Sequence, residues 1–161
     1  MIIIIMGVAG SGKTTVARLL AEQLSWTFRD SDEFHPPANI EKMSRGIPLD
    51  NADRAPWLAA MRAAIEAWLR ENTNAVLTCS CLKADYRKTV LVDPARMRMV
   101  YLKGSFELIE ARLRQRANHF MKVNLLKSQF EILEEPQDAI VVDVSEPPEV
   151  IVQKIRQALG I

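Results

Sequence analysis

The feature that most constrains this sequence is the run Ile2-Ile3-Ile4-Ile5-Met6, followed at once by Gly7-Val8-Ala9-Gly10-Ser11-Gly12-Lys13-Thr14. The run is short, apolar and β-branched, as a strand covered on both faces of a parallel sheet must be. The eight residues after it fit GxxxxGK[ST] at every constrained position. A helical pattern from Thr14 to Leu24 comes next, with Val16, Leu19, Leu20 and Leu24 on one face. Strand, glycine-rich turn and helix in that order make a phosphate-binding loop. Glycines let successive N–H groups point at phosphate oxygens, and the helix N-terminus adds positive potential. The expected nucleotide-binding residues are therefore Gly7, Val8, Ala9, Gly10, Ser11, Gly12, Lys13, Thr14 and Thr15. Lys13 is the expected contact of the β- and γ-phosphates, and the Thr14 hydroxyl the expected ligand of Mg²⁺.

The rest of the chain repeats the strand–helix alternation. Strand candidates are Thr27 to Arg29, Ala75 to Cys79, Met97 to Leu102 and Ala139 to Val144. Helical spacing runs over Ala55 to Arg70, with Pro56 suited to a first turn, and over Phe106 to Arg116 and Pro148 to Leu159. Five strands alternating with helices imply an α/β fold, a five-stranded parallel sheet flanked by helices in one domain over 1–161. One stretch breaks the alternation. Residues 112–135 are too long for a simple crossover and read as a helical lid over the sheet edge.

Composition narrows the function classes. Twenty-one Lys and Arg against twenty Asp and Glu leave a net charge of +1, so no global field recruits nucleic acid or an anionic membrane. No apolar run approaches the roughly 20 residues of a membrane helix. Cys79 and Cys81, two apart, are expected to be free thiols in a reduced, cytoplasmic protein.

A phosphate-binding loop alone does not say what becomes of the phosphate. The guanine-reading NKxD motif is absent, and a chain of 161 residues leaves little room for a motor, so a small kinase or a nucleotide switch remains. The acids Asp30 and Asp32 follow the second strand and so belong at the carboxyl edge of the sheet, where ligands bind. Read as an extended segment, they point the same way. Asp30 is assigned to the outer shell of Mg²⁺ and Asp32 to taking the proton of an attacking hydroxyl; the alternative for either is to cap the next turn. Ile140-Val141-Val142-Asp143 also ends an apolar strand in an acid, and is read as a turn or cap rather than a metal site. Arg112 and Arg116, four apart on the helix entering the lid, are assigned to the nucleotide and to the transferring phosphoryl. Trp57, Trp68, Met97 and Met99 are left to core packing or the rim of the site.

Several blocks resemble the gluconate kinases. They are Asp30 to Pro36, Asn39 to Met43, Gly46 to Leu49, Asp53-Arg54-Ala55-Pro56-Trp57-Leu58, Cys79 to Lys83 with Tyr86-Arg87, His119-Phe120-Met121, and Leu125 to Phe130 with Glu135-Pro136. The likeness runs from residue 2 to about 144. It departs at Ser31 and Asn118, where members usually carry Gly, and in a thinner acidic run before Arg54.

The resemblance implies transfer of the ATP γ-phosphoryl to the 6-hydroxyl of D-gluconate, in a cytoplasmic homodimer. His35 and His119 match family motif positions and are expected at the substrate. Gluconate needs a cation for its carboxylate and polar partners for its hydroxyls. Arg54 and Arg87 offer paired donors, Lys83 lies four before Arg87, and Gln129 is expected to meet substrate on lid closure. The rivals are a kinase for another sugar acid, shikimate or a nucleoside monophosphate, and a nucleotide-binding switch.

Overall fold

The computed structural model describes the backbone of residues 1–115 and 119–161, and side chains outside 116–124. Five parallel strands, β1 (Ile2–Met6), β2 (Thr27–Asp30), β3 (Ala75–Cys79), β4 (Met97–Lys103) and β5 (Ile140–Asp143), form one sheet in the order β2-β3-β1-β4-β5. β1 is central and none of its five residues is exposed at all, as a strand with helices on both faces requires.

Strand alternation divides the interior in two. Ile3, Ile5, Val76, Val100 and Leu102 face α1 (Lys13–Leu24), α5 (Phe106–Arg114) and α7 (Pro148–Leu159), through Val16, Leu20, Ile109, Leu113 and Ile155. Ile2, Ile4, Met6, Leu77, Met97 and Met99 face the other way, onto Trp57, Leu58, Met61, Ile65 and Trp68 of α3 (Asn51–Arg70) and Tyr86 of α4 (Ala84–Val90). Two shorter pieces lie beside the sheet's carboxyl edge: a 3₁₀ turn, Ser31–Phe34, and α2 (Pro37–Ser44). α6 (His119–Ile132) packs on α5, and Phe130 meets Phe106 edge to face at 5.5 Å. It accounts for most of the expected excursion.

Three expectations need correction. α3 starts at Asn51, not Ala55, because Asp50 and Asp53 form a reciprocal capping box: each carboxylate accepts from the other's backbone N–H, at 2.7 and 3.0 Å. Pro56 therefore sits inside the helix rather than in its first turn. α5 ends at Arg114, short of Arg116. Cys79 and Cys81 are not free thiols but a disulfide. Cys81 adopts a left-handed φ of 43°, which brings the two Cα atoms to 5.3 Å, within bridging range. Among the described residues no helix is long and apolar enough to cross a membrane.

Candidate active site

The carboxyl ends of β1, β2 and β3 open into one cavity of about 400 Å³, which lies in the range of small-molecule sites. Its first wall is the loop after β1. Gly10 (φ 77°) and Gly12 (φ 96°) take left-handed conformations there, and a Cβ on Gly10 would lie 2.8 Å from Leu113. Gly12 has no side chain to cap α1, so the leading N–H groups of the helix are left for a ligand. Gly10, Gly12, Thr14 and Thr15 line the cavity. Gly7, Val8 and Ser11 do not, but the carbonyls of Gly7 and Val8 each accept from Lys13 Nζ at 3.0 Å. Burial lowers the Lys13 ammonium to a pKa of about 8, against the opposing pull of Asp32 and Asp30.

The second wall carries the acids. They are not on an extended segment. Asp30 caps the 3₁₀ turn, its Oδ1 accepting from the Asp32 N–H at 2.9 Å, and Asp32 lies inside the turn. The capping alternative for Asp30 is thus observed, while both carboxylates still line the cavity. Asp32 opens into it with 75% of its side chain exposed. Desolvation by the walls and repulsion from Asp30 raise its pKa, with Lys13 pulling it down, which is the direction a general base needs. Thr14, Asp30 and Asp32 offer only oxygen donors beside the phosphate loop. That suits Mg²⁺, which takes one or two protein oxygens and draws the rest from phosphates and water.

The third wall comes from distant parts of the chain. His35, buried, stacks on Trp57 at 4.6 Å and 8°, and Trp57 Nε1 donates to the Ser31 carbonyl at 2.8 Å. Burial, reinforced by Arg54, lowers the His35 pKa to about 4, so the ring is neutral at ordinary pH. Arg54 donates to the Tyr86 hydroxyl at 3.1 Å, and that hydroxyl donates to Asn51 Oδ1 at 2.6 Å. Arg54, Tyr86, Thr78 and Ser80 all line the cavity. Ser80 is presented by the turn between the bridged cysteines.

Three expected site residues stand outside the cavity wall, and a fourth, Gln129, lines it with a different partner. Arg87 is buried and donates to the Cys81 and Leu82 carbonyls at 2.9 and 3.2 Å, holding the turn after β3 instead of lining the cavity. Lys83 is the N-cap of α4, outside the helix, so it shares no face with Arg87; its Nζ lies 3.4 Å from Asn51 Oδ1. Arg112 donates to the Val144 carbonyl and is not a cavity residue. Gln129 does line the cavity, but its Oε1 accepts from the Ala9 N–H at 2.6 Å, so it faces the phosphate loop rather than the substrate wall. Arg116 and the side chain of His119 lie outside the described residues. Asp143, exposed, accepts from the Ser145 N–H at 2.7 Å and is a turn cap, as expected.

Sequence reasoning passed over Tyr86, Thr78 and Ser80 as site residues and left Trp57 between core and rim. Asp53-Arg54-Ala55-Pro56-Trp57 held a usable signal: Arg54 and Trp57 are three apart on one helix, so they share a face.

Similarity to known proteins agrees with this geometry. The family model described as shikimate kinase matches residues 9–160. Thermoresistant gluconokinase of Escherichia coli (strain K12) is 44% identical over 155 residues, 94% of this chain and 89% of that protein. Among solved structures, a gluconokinase from Sinorhizobium meliloti 1021 superposes with a TM-score of 0.86 at 41% identity, covering 98% of this chain and 90% of that one. An unliganded sugar kinase from Janibacter sp. HTCC2649 gives 0.91 at 39% identity, covering 99% and 94%.

Proposed function

This chain belongs to the gluconokinases, within the family that the shikimate kinase model describes, and from that premise we propose how its residues divide the work. The reaction is transfer of the γ-phosphoryl of ATP to the 6-hydroxyl of D-gluconate, giving 6-phospho-D-gluconate and ADP. One observation carries the residue assignment: Lys13 from α1, Asp32 and His35 from the 3₁₀ turn and its C-cap, and Arg54 from α3 converge on a single cavity.

Lys13 leaves the Gly7 and Val8 carbonyls to meet the β- and γ-phosphates, while the loop amides hold the phosphate oxygens. Thr14, with Asp30 acting through water, would hold Mg²⁺ arriving with ATP, and the ion would supply charge neutralisation on the phosphates. Asp32 orients the 6-hydroxyl and accepts its proton, so that the oxygen attacks in line. Arg54 meets the sugar-acid carboxylate, and His35 hydrogen-bonds a hydroxyl. Arg112, anchored at Val144, serves the nucleotide, and Arg116 the transferring phosphoryl. Residues 112–135 form the lid that excludes water, with Leu125, Ser128, Gln129 and Ile132 already on the cavity wall. His119 joins the substrate from that lid. Lys83 and Arg87 support the wall through α4. A homodimer in the cytoplasm rests on the family resemblance alone.

An ADP-release assay with gluconate, other aldonic acids, shikimate and nucleoside monophosphates side by side tests the reading. Gluconate should give the highest kcat/KM. Preference for shikimate or a nucleotide would overturn it, as would ATP hydrolysis indifferent to every sugar acid.

A further inference from the structure

Asn39 has no part in the chemistry above, yet its contacts determine which nitrogen of His35 carries the proton. It is 2% exposed and lies in the first turn of α2. Its side-chain Nδ2 is 2.7 Å from the Asp53 carbonyl oxygen and 3.1 Å from His35 Nδ1. A carbonyl oxygen only accepts, so the group facing Asp53 must be the NH₂ end of the amide, and its orientation follows from that contact. One of its hydrogens goes to Asp53 and the other to His35. His35 Nδ1 must then be the accepting lone pair, which in a neutral ring leaves the hydrogen on Nε2.

Nε2 is the nitrogen on the reacting side, 3.9 Å from Asp32 Oδ1. The ring has little freedom to turn away, since Trp57 stacks against it and is itself tied to Ser31. Asp53, whose carbonyl orients Asn39, also takes Lys42 Nζ on its carboxylate at 2.7 Å, so α2 is held to α3 at Asn39 and again one turn further on.

We propose that Asn39 is a positioning residue that locks His35 as its Nε2–H tautomer, so that the ring presents a hydrogen-bond donor, never an acceptor, between Asp32 and the sugar-acid hydroxyls. The consequence is a division of roles. Asp32 then meets no competing acceptor on the His35 ring for the reacting hydroxyl's proton, and His35 can bond only through a lone pair of a substrate or carboxylate oxygen. The other tautomer would offer a second acceptor beside the base and let the hydroxyl point its hydrogen the wrong way. The inference rests on the gluconokinase reading for its substrate; its first test does not.

That test is a two-bond ¹H–¹⁵N correlation spectrum of the free protein with labelled histidine at neutral pH. The chain has two histidines, so His35→Gln assigns the signals. His35 should show an unprotonated Nδ1 and a protonated Nε2. A protonated Nδ1, a mixture of tautomers or an imidazolium would overturn the proposal, whatever the enzyme's activity. In Asn39→Ala the ring should pass to a tautomer mixture. Gluconate kcat should fall about tenfold, the worth of one oriented hydrogen bond, with the KM for ATP within about twofold. Glutamine at position 35 supplies a donor near the Nε2 position without help from Asn39. On the His35→Gln background Asn39→Ala should therefore cost less than about threefold. An equal loss on both backgrounds would mean that Asn39 acts only through α2–α3 packing, and the proposal falls. Should Asn39→Ala fail to fold, the wild-type spectrum still decides. The expected tautomer without gluconate turnover would sink the functional reading and leave this one standing.

Discussion

The two ends of the cavity are made of different material. At the phosphate end the donors are main-chain N–H groups and one lysine, all from the run Gly7 to Thr14. At the hydroxyl end the polar groups are side chains gathered from the 3₁₀ turn and its cap, α3 and α4: the acceptor Asp32 with His35, Arg54 and Tyr86. The first end holds contacts that a ligand must displace, with Lys13 on the Gly7 and Val8 carbonyls and Gln129 on the Ala9 amide. The second is braced in advance. Trp57 fixes His35, Tyr86 fixes Arg54, and Asn39 ties His35 to α3. Phosphate binding therefore exchanges hydrogen bonds and gains chiefly from charge, whereas a polyhydroxy acid meets donors already oriented and gains from their fixed geometry.

The sharpest separation of the two ends is Asp32→Asn. It should lower kcat by about 10²–10⁴, the usual worth of a general base, while ATP affinity measured by calorimetry stays within a few-fold. Near-normal gluconate turnover would remove Asp32 from the chemistry. Arg54→Ala should raise the gluconate KM by roughly 10- to 100-fold with little change in the KM for ATP, since it removes a charged hydrogen bond only at the hydroxyl end. If both constants move together, the ends are not independent.

The third expectation concerns pH. Lys13 titrates near 8 in the free protein and must be charged to hold phosphate. ATP affinity should then be flat below pH 8 and weaken about tenfold per pH unit above it, with a proton taken up on binding. Calorimetry in buffers of different ionisation enthalpy reads that proton. Uptake absent at pH 9 would mean that Lys13 is not buried as described. The smallest effect belongs to Gln129→Ala. Freeing the Ala9 N–H should tighten nucleotide binding by about two- to fivefold and leave gluconate untouched. A rise in gluconate KM instead would restore the substrate contact expected from the sequence.

The two ends also differ in how far the sequence discloses them. The phosphate loop is contiguous, so its spacing alone locates Lys13, Thr14 and the strand and helix on either side. The acids were found, but not their conformation, because Asp30 closes a capping box with Glu33 and pulls the segment into a 3₁₀ turn. Lys83 and Arg87 show the limit of spacing. Four residues apart suggests one helix face, but α4 begins only at Ala84, and Arg87 turns back onto carbonyls left open after β3. The cysteine pair escaped for a related reason: a single left-handed residue, Cys81, decides it.

Taken alone, the sequence determined the parallel α/β fold, the phosphate grip and the family, because each is written in residues close together or in a repeated apolar period. Only the tertiary structure decided which side chains meet at the hydroxyl end. Their contacts join residues 14 to 35 positions apart, such as Asn39 with Asp53 and Tyr86 with Asn51. A local pattern carries no record of which distant partner will satisfy a buried donor; that is settled when α2, α3 and α4 pack and every polar group among them must find an acceptor.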